Sequence, residues 1–152
     1  KMKPLPRLAS TSLLTSLAFT AAASGSSPAA FQPGAWEITR NVTGGPRATG
    51  PQTDRYCFTA AQLREDPAAP LKAPPMPRDG RQGPQCTMGP AKLAEGKASL
   101  NSSCKGPMGS MKAKWAGTYT ATSFAMTGTM KMGFMSAKMT STGRYLGACN
   151  GQ

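Results

Sequence analysis

From Ser110 onward the chain alternates. Met111, Ala113, Trp115, Gly117 and Tyr119 share one parity, while Lys112, Lys114 and Thr118 share the other. Phe124, Met126, Gly128, Met130 and Met132 repeat the pattern within 123–132, and Ala137, Met139, Ser141, Gly143 and Tyr145 repeat it again. Successive side chains of a strand point to opposite faces, so each stretch predicts a half-buried strand. A four-residue loop at 120–123 pairs Tyr119 with Phe124, Trp115 with Gly128 and Met111 with Met132. A four-residue loop at 133–136 pairs Met130 with Met139 and Met126 with Gly143. A large aromatic facing a glycine across two strands is a favourable arrangement.

Upstream, Trp36 and Ile38 alternate with Glu37 and Thr39, predicting a strand over 34–42 that Gly44-Gly45-Pro46 ends. Residues 53–58 predict a second strand. Thr59 followed by Gln62 has the spacing of a capping box, so a helix starts there, and Pro67 and Pro70 keep it short. Seven prolines between 67 and 90 predict one long loop with no core element. Lys92–Ala94 and Lys97–Cys104 form a hairpin around Ala94-Glu95-Gly96, with Gly96 supplying a positive φ. The expected fold is all-β: six or seven strands of an antiparallel meander sheet, curled into an open barrel or sandwich, with one short helix and a Pro-rich loop.

The first residues differ in kind. Lys1, Lys3 and Arg7 precede a mostly apolar stretch over 8–22, and Ala21-Ala22-Ala23 offers small residues for cleavage. This is the layout of a secretory signal peptide over 1–23. Residues 24–33 then read as a flexible leader, and 34–149 as a single domain. Export to the periplasm or outside the cell follows, and the four cysteines fit an oxidising compartment. Four cysteines allow three pairings. The hairpin centred on Glu95 places Cys86 and Cys104 equally far from that residue, which makes Cys86–Cys104 the natural bridge and leaves Cys57–Cys149.

Composition narrows the chemistry. The chain of 152 residues holds 18 Lys and Arg against 6 Asp and Glu, a net charge of +12, and no His. Without His there is no Ser–His–Asp or Cys–His pair and no His-ligated metal. Glu37 has no second carboxylate placed to work with it. No catalytic constellation and no cofactor motif emerges, and the expected protein is a non-enzymatic binding or envelope-supporting domain.

Three candidate sites remain. Trp36, Trp115, Tyr119, Phe124 and Met126 would form either the core or an apolar pocket for a small molecule, as on the inner face of a curved sheet. No acidic residue follows Glu95, and Lys112, Lys114, Lys131, Lys138 and Arg144 fall on the face opposite the methionines. That face would suit a polyanion such as lipopolysaccharide, anionic lipid or DNA; its simpler reading is a solvated surface. Met111, Met130, Met132 and Met139 would gather at one end of the inner face. Thioethers suit Cu(I) or Ag(I), although methionine more often fills irregular core space.

Three segments resemble a known family. Pro33-Gly34-Ala35-Trp36-Glu37 resembles the opening PGxWE motif of the bacterial DUF3617 family. Tyr56-Cys57-Phe58-Thr59 with Gln62-Leu63 resembles its xCLTxexL segment, and Gly143 to Cys149 its closing GRxLGxC. Cys86 and Cys104-Lys105-Gly106 fall where the family carries its middle cysteines. Phe58 replaces a Leu, Ala148 replaces a Pro, and the Pro-rich loop is longer. The resemblance implies a small exported β domain of Gram-negative bacteria with bridged cysteines, and it brings no activity or catalytic residue.

Overall fold

The structure is a computed structural model, and it describes residues 30–44, 49–77, 85–106 and 109–150. The elements are β1 (Gly34–Thr43), β2 (Thr49–Phe58), α1 (Ala60–Glu65), α2 (Ala69–Lys72), β3 (Gln85–Met88), β4 (Lys92–Ala94), β5 (Lys97–Gly106), β6 (Gly109–Tyr119), β7 (Ser123–Met132) and β8 (Met135–Gly147). All eight strands lie in one antiparallel sheet ordered β2-β1-β8-β7-β6-β5-β3, with β4 also paired to β5. The expected all-β class holds, as a sheet curled into a half-barrel. Only β5 to β8 run as a simple meander. Among the described residues the first strand, β1, pairs with the last, β8, along Trp36↔Tyr145 to Thr43↔Lys138.

The inner face is built from the parities seen in the sequence. Trp36 and Ile38 are fully buried, and Ala98, Leu100, Met111, Ala113, Phe124 and Met126 are nearly so. The β6–β7 register places Tyr119 opposite Phe124 and Trp115 opposite Gly128. Two glycines make room for rings. A Cβ at Gly128 would lie 2.7 Å from Trp115 Cδ2, and one at Gly143 would lie 2.1 Å from Phe124 Cε1. The rings therefore lie flat across the strands and let the sheet curl tightly around a thin core.

Several expectations need correction. The β7–β8 register is shifted by two residues: Met126 faces Ser141, Gly128 faces Met139, and Met130 faces Ala137. Gly133 adopts φ 59° and the turn needs only Gly133 and Phe134, so Met132 pairs with Met135. A shift of two keeps every side chain on its face, which is why the alternation could not detect it. The β4–β5 turn is also shorter than expected, because Glu95 as well as Gly96 takes positive φ (49° and 76°) and Ala94 pairs directly with Lys97. Two consecutive positive φ values fit the tight hairpin whose twist matches its strands.

The segment 67–90 is not one loop. Asp66 accepts the Ala68 N–H at 3.1 Å, and Pro70 stands in the first turn of α2, where its missing N–H costs nothing. Pro70, Leu71 and Ala73 are buried against the inner face, and β3 follows at Gln85. Two short helices thus occur among the described residues; α1 carries the capping box between Thr59 and Gln62. The supposed leader also enters the fold before residue 34. Phe31 is 1% exposed and packs edge-on against Trp36 at 5.5 Å, while Gln32 donates its N–H to Ala121 O at 2.8 Å. The signal-peptide reading of 1–23 lies outside the described residues.

Cys57 is bonded to Cys149 and Cys86 to Cys104. The first bridge joins β2 to the segment after β8, stepping over β1. In the chain-entropy picture, loops of these lengths contribute about 3–5 kcal/mol each.

Gly143→Val is expected to destabilise the fold by at least about 1–3 kcal/mol, because the new side chain overlaps the Phe124 ring and cannot be relieved without unbending the sheet. Urea unfolding followed by tryptophan fluorescence measures this. A midpoint equal to wild type would contradict the packing described.

Candidate functional site

The alternation on β1 that buries Trp36 and Ile38 also brings Arg40 to the inner face. On β2 the same parity brings Asp54, Tyr56 and Phe58 there, and Asp54 is 7% exposed. Arg40 faces Gln52 in the β1–β2 ladder, with Asp54 beside it. Its Nη1 lies 3.4 Å from Asp54 Oδ2 and donates to the Tyr56 hydroxyl at 3.2 Å. Its Nη2 donates to the Ala73 carbonyl, and the Tyr56 hydroxyl donates to the Pro74 carbonyl. The Met76 N–H also donates to Asp54 Oδ2, at 3.4 Å. A polar node thus fastens the chain after α2 across the trough of the half-barrel. Burial pushes the Tyr56 hydroxyl pKa up, against the pull of the Arg40 charge, so the hydroxyl keeps its proton at neutral pH.

Beside this node lies a cavity of about 230 Å³. Leu71, Ala73, Leu100, Trp115, Met126 and Met139 form its apolar wall, and Arg40 and Lys72 reach its edge. Lys72 is held by Asp66 at 2.9 Å, and the Trp115 Nε1 donates to Ser102 Oγ at 3.2 Å, which fixes the indole plane. A mostly apolar hollow with a few placed polar groups is the usual form of a small-molecule site.

Of the five residues expected at a pocket or core, Trp115 and Met126 line this cavity. Trp36, Tyr119 and Phe124 instead surround Phe31 in an aromatic cluster. Tyr119 also borders a second hollow of about 590 Å³ near α1, together with Phe31 and Leu63. Arg40, Leu71, Leu100 and the Asp54–Tyr56 pair were missed. The signal for Arg40 was present: it continues the buried parity of Trp36 and Ile38. Asp54 and Tyr56 stand likewise in phase with Phe58.

The methionines share the inner face at the β7–β8 turn, but in a different arrangement. Met139 lies beside Gly128 and lines the cavity, whereas Met132 is paired with Met135. Met111 is buried at 8% exposure, and Met130 sits between Ala113 and Ala137. No group of three or more Cys, Asp or Glu residues placed to hold a metal occurs among the described residues.

On the outer face Lys112, Lys114, Lys131, Lys138 and Arg144 are all exposed. Arg144 stands apart from the lysines. It donates to Glu37 at 2.8 Å, and Arg55 approaches the same carboxylate at 3.4 Å, tying β8, β1 and β2 together. The hydrogen bond from Arg144 holds the Glu37 carboxyl below the usual carboxylate range.

Two predictions follow from these contacts. Asp54→Ala should cost about 3–5 kcal/mol, the usual effect of stranding a largely buried partner charge, here Arg40; thermal unfolding reads it out. Glu37 acts through its ionised form. Its folded pKa is depressed, so its contribution is complete above its ordinary value of 4.5 and vanishes as pH falls through the lower folded value. The Tm gap between wild type and Glu37→Gln should therefore be present at neutral pH and close in acid. A gap independent of pH would refute the ion-pair account.

No helix among the described residues is long and apolar enough to cross a membrane. No curated protein and no solved structure matches the chain. The model of a family described as a protein of unknown function, DUF3617, matches residues 31–149, which begins at the buried Phe31 and ends at Cys149 of the bridge to β2. The aromatic-and-glycine inner face and both disulfides fall within that match, and the chain belongs to the DUF3617 family.

Proposed function

We propose that this chain is a non-enzymatic binding domain that takes a small apolar molecule between the sheet and the segment after α2. The cavity beside Arg40 carries the reading. Its wall is apolar, its volume of about 230 Å³ restricts it to a ligand smaller than drug-sized, and the Arg40 and Lys72 charges favour a molecule with one anionic end. Both cations already have carboxylate partners, so they orient such a group more than they draw it in. Action in an oxidising compartment, as for an exported protein, is supported by the two disulfides.

A protein stripped of lipid and titrated with a hydrophobic probe dye should show saturable fluorescence. Met139→Trp should fill the cavity and abolish that signal while the unfolding midpoint stays near wild type. Undiminished dye binding in this variant would remove the cavity as the site and point instead to the hollow near α1.

A further inference from the structure

The β7–β8 turn carries an anomaly that the cavity does not use. Phe134 is 98% exposed, at the apex of a two-residue turn. A side chain of this type gains nothing in water and would contribute substantially once buried. It is flanked on the same hairpin by Met132 and Met135, both half-buried.

The outer face behind this apex is basic and unbalanced. Lys112 faces Lys131 directly across β6 and β7, an arrangement that is repulsive without an anion nearby. Lys138 lies one row away, opposite Thr129, and Lys114 opposite the same threonine from the other side. Lys105, exposed at the end of β5, joins this end of the sheet. Strands β5 to β8 contain no acidic residue, and among the described residues no carboxylate pairs with these lysines. The contrast with the opposite end is direct, since Arg144 and Arg55 there share Glu37.

We propose that this end of the half-barrel docks on an anionic phospholipid surface, with Phe134 entering the boundary between headgroups and acyl chains and the lysines meeting the headgroups. An apolar apex backed by lysines fits a partner that is negatively charged at its surface and apolar just beneath. A soluble polyanion would use the lysines but leave Phe134 in water, because stacking on nucleic acid needs aromatics interleaved with the charges. A second copy of the chain would bring the same lysines against each other.

The test uses the full chain and vesicles of phosphatidylcholine with or without phosphatidylglycerol. In a Phe134→Trp variant, acyl-chain bromination should quench the added indole emission on the anionic vesicles only. Trp36, fully buried, and Trp115, half-buried on the inner face and bonded to Ser102, away from the turn, provide the background in wild type. Phe134→Ser should weaken partitioning at least about tenfold. Lys131→Gln and Lys138→Gln should each weaken it about fivefold, and added salt should weaken wild type further. Absence of quenching, or Phe134→Ser partitioning like wild type, overturns the proposal. So does an effect of Phe134→Ser confined to self-association or to DNA binding. Met139→Trp should leave partitioning unchanged, so failure of the cavity and failure of the tip are told apart.

Discussion

Arg40 and Tyr56 reach from adjacent strands to two consecutive main-chain carbonyls, those of Ala73 and Pro74. The rest of the inner architecture depends on that attachment. A half-barrel leaves a trough whose apolar floor water would otherwise cover, and a strip of chain with little regular structure must fill it. Such a strip carries unpaired backbone groups, and burial is tolerable only if the floor supplies partners. The arginine and tyrosine supply them, with Asp54 balancing the guanidinium charge and taking the Met76 N–H. Leu71 and Ala73 can then be buried, and the cavity is the space that this strip fails to fill.

Where the sequence was legible, one face was wet and the other dry. Over 110–145 the alternation of methionine and aromatics with lysine and threonine located three strands and the glycines that admit their rings. The same alternation was blind to a shift of two in β7–β8, since only the turn length distinguishes the registers. Pro70 misled because proline reads as a helix breaker, yet it opens the short helix that carries Leu71 inward. Phe31 had no periodic neighbours to mark it as core, and its burial comes from the tertiary cluster around Trp36. Arg40 was hidden by chemistry rather than pattern, because a charged residue in phase with buried ones reads as facing solvent unless a buried partner such as Asp54 is known.

The two faces distribute charge in opposite ways. Inside, each cation near the cavity is matched: Arg40 with Asp54 and Lys72 with Asp66. Outside, one end is matched through Glu37 and the other carries lysines alone. Exposed pairs such as Glu37–Arg144 contribute little individually. Their value at that end lies in joining three strands across the seam where β1 meets β8.

That seam has a consequence for how the molecule is made. Strand β1 lies beside β8 in the sheet although Glu37 and Arg144, which meet across that seam, are 107 residues apart. Until β8 is in place, one edge of β1 has no strand to bond, and Cys57 waits for Cys149. The contacts that close the sheet are thus among the most distant in sequence, a topology that folds slowly. A folding molecule of this kind has to be protected from stray thiols and foreign strands for as long as β1 waits for β8.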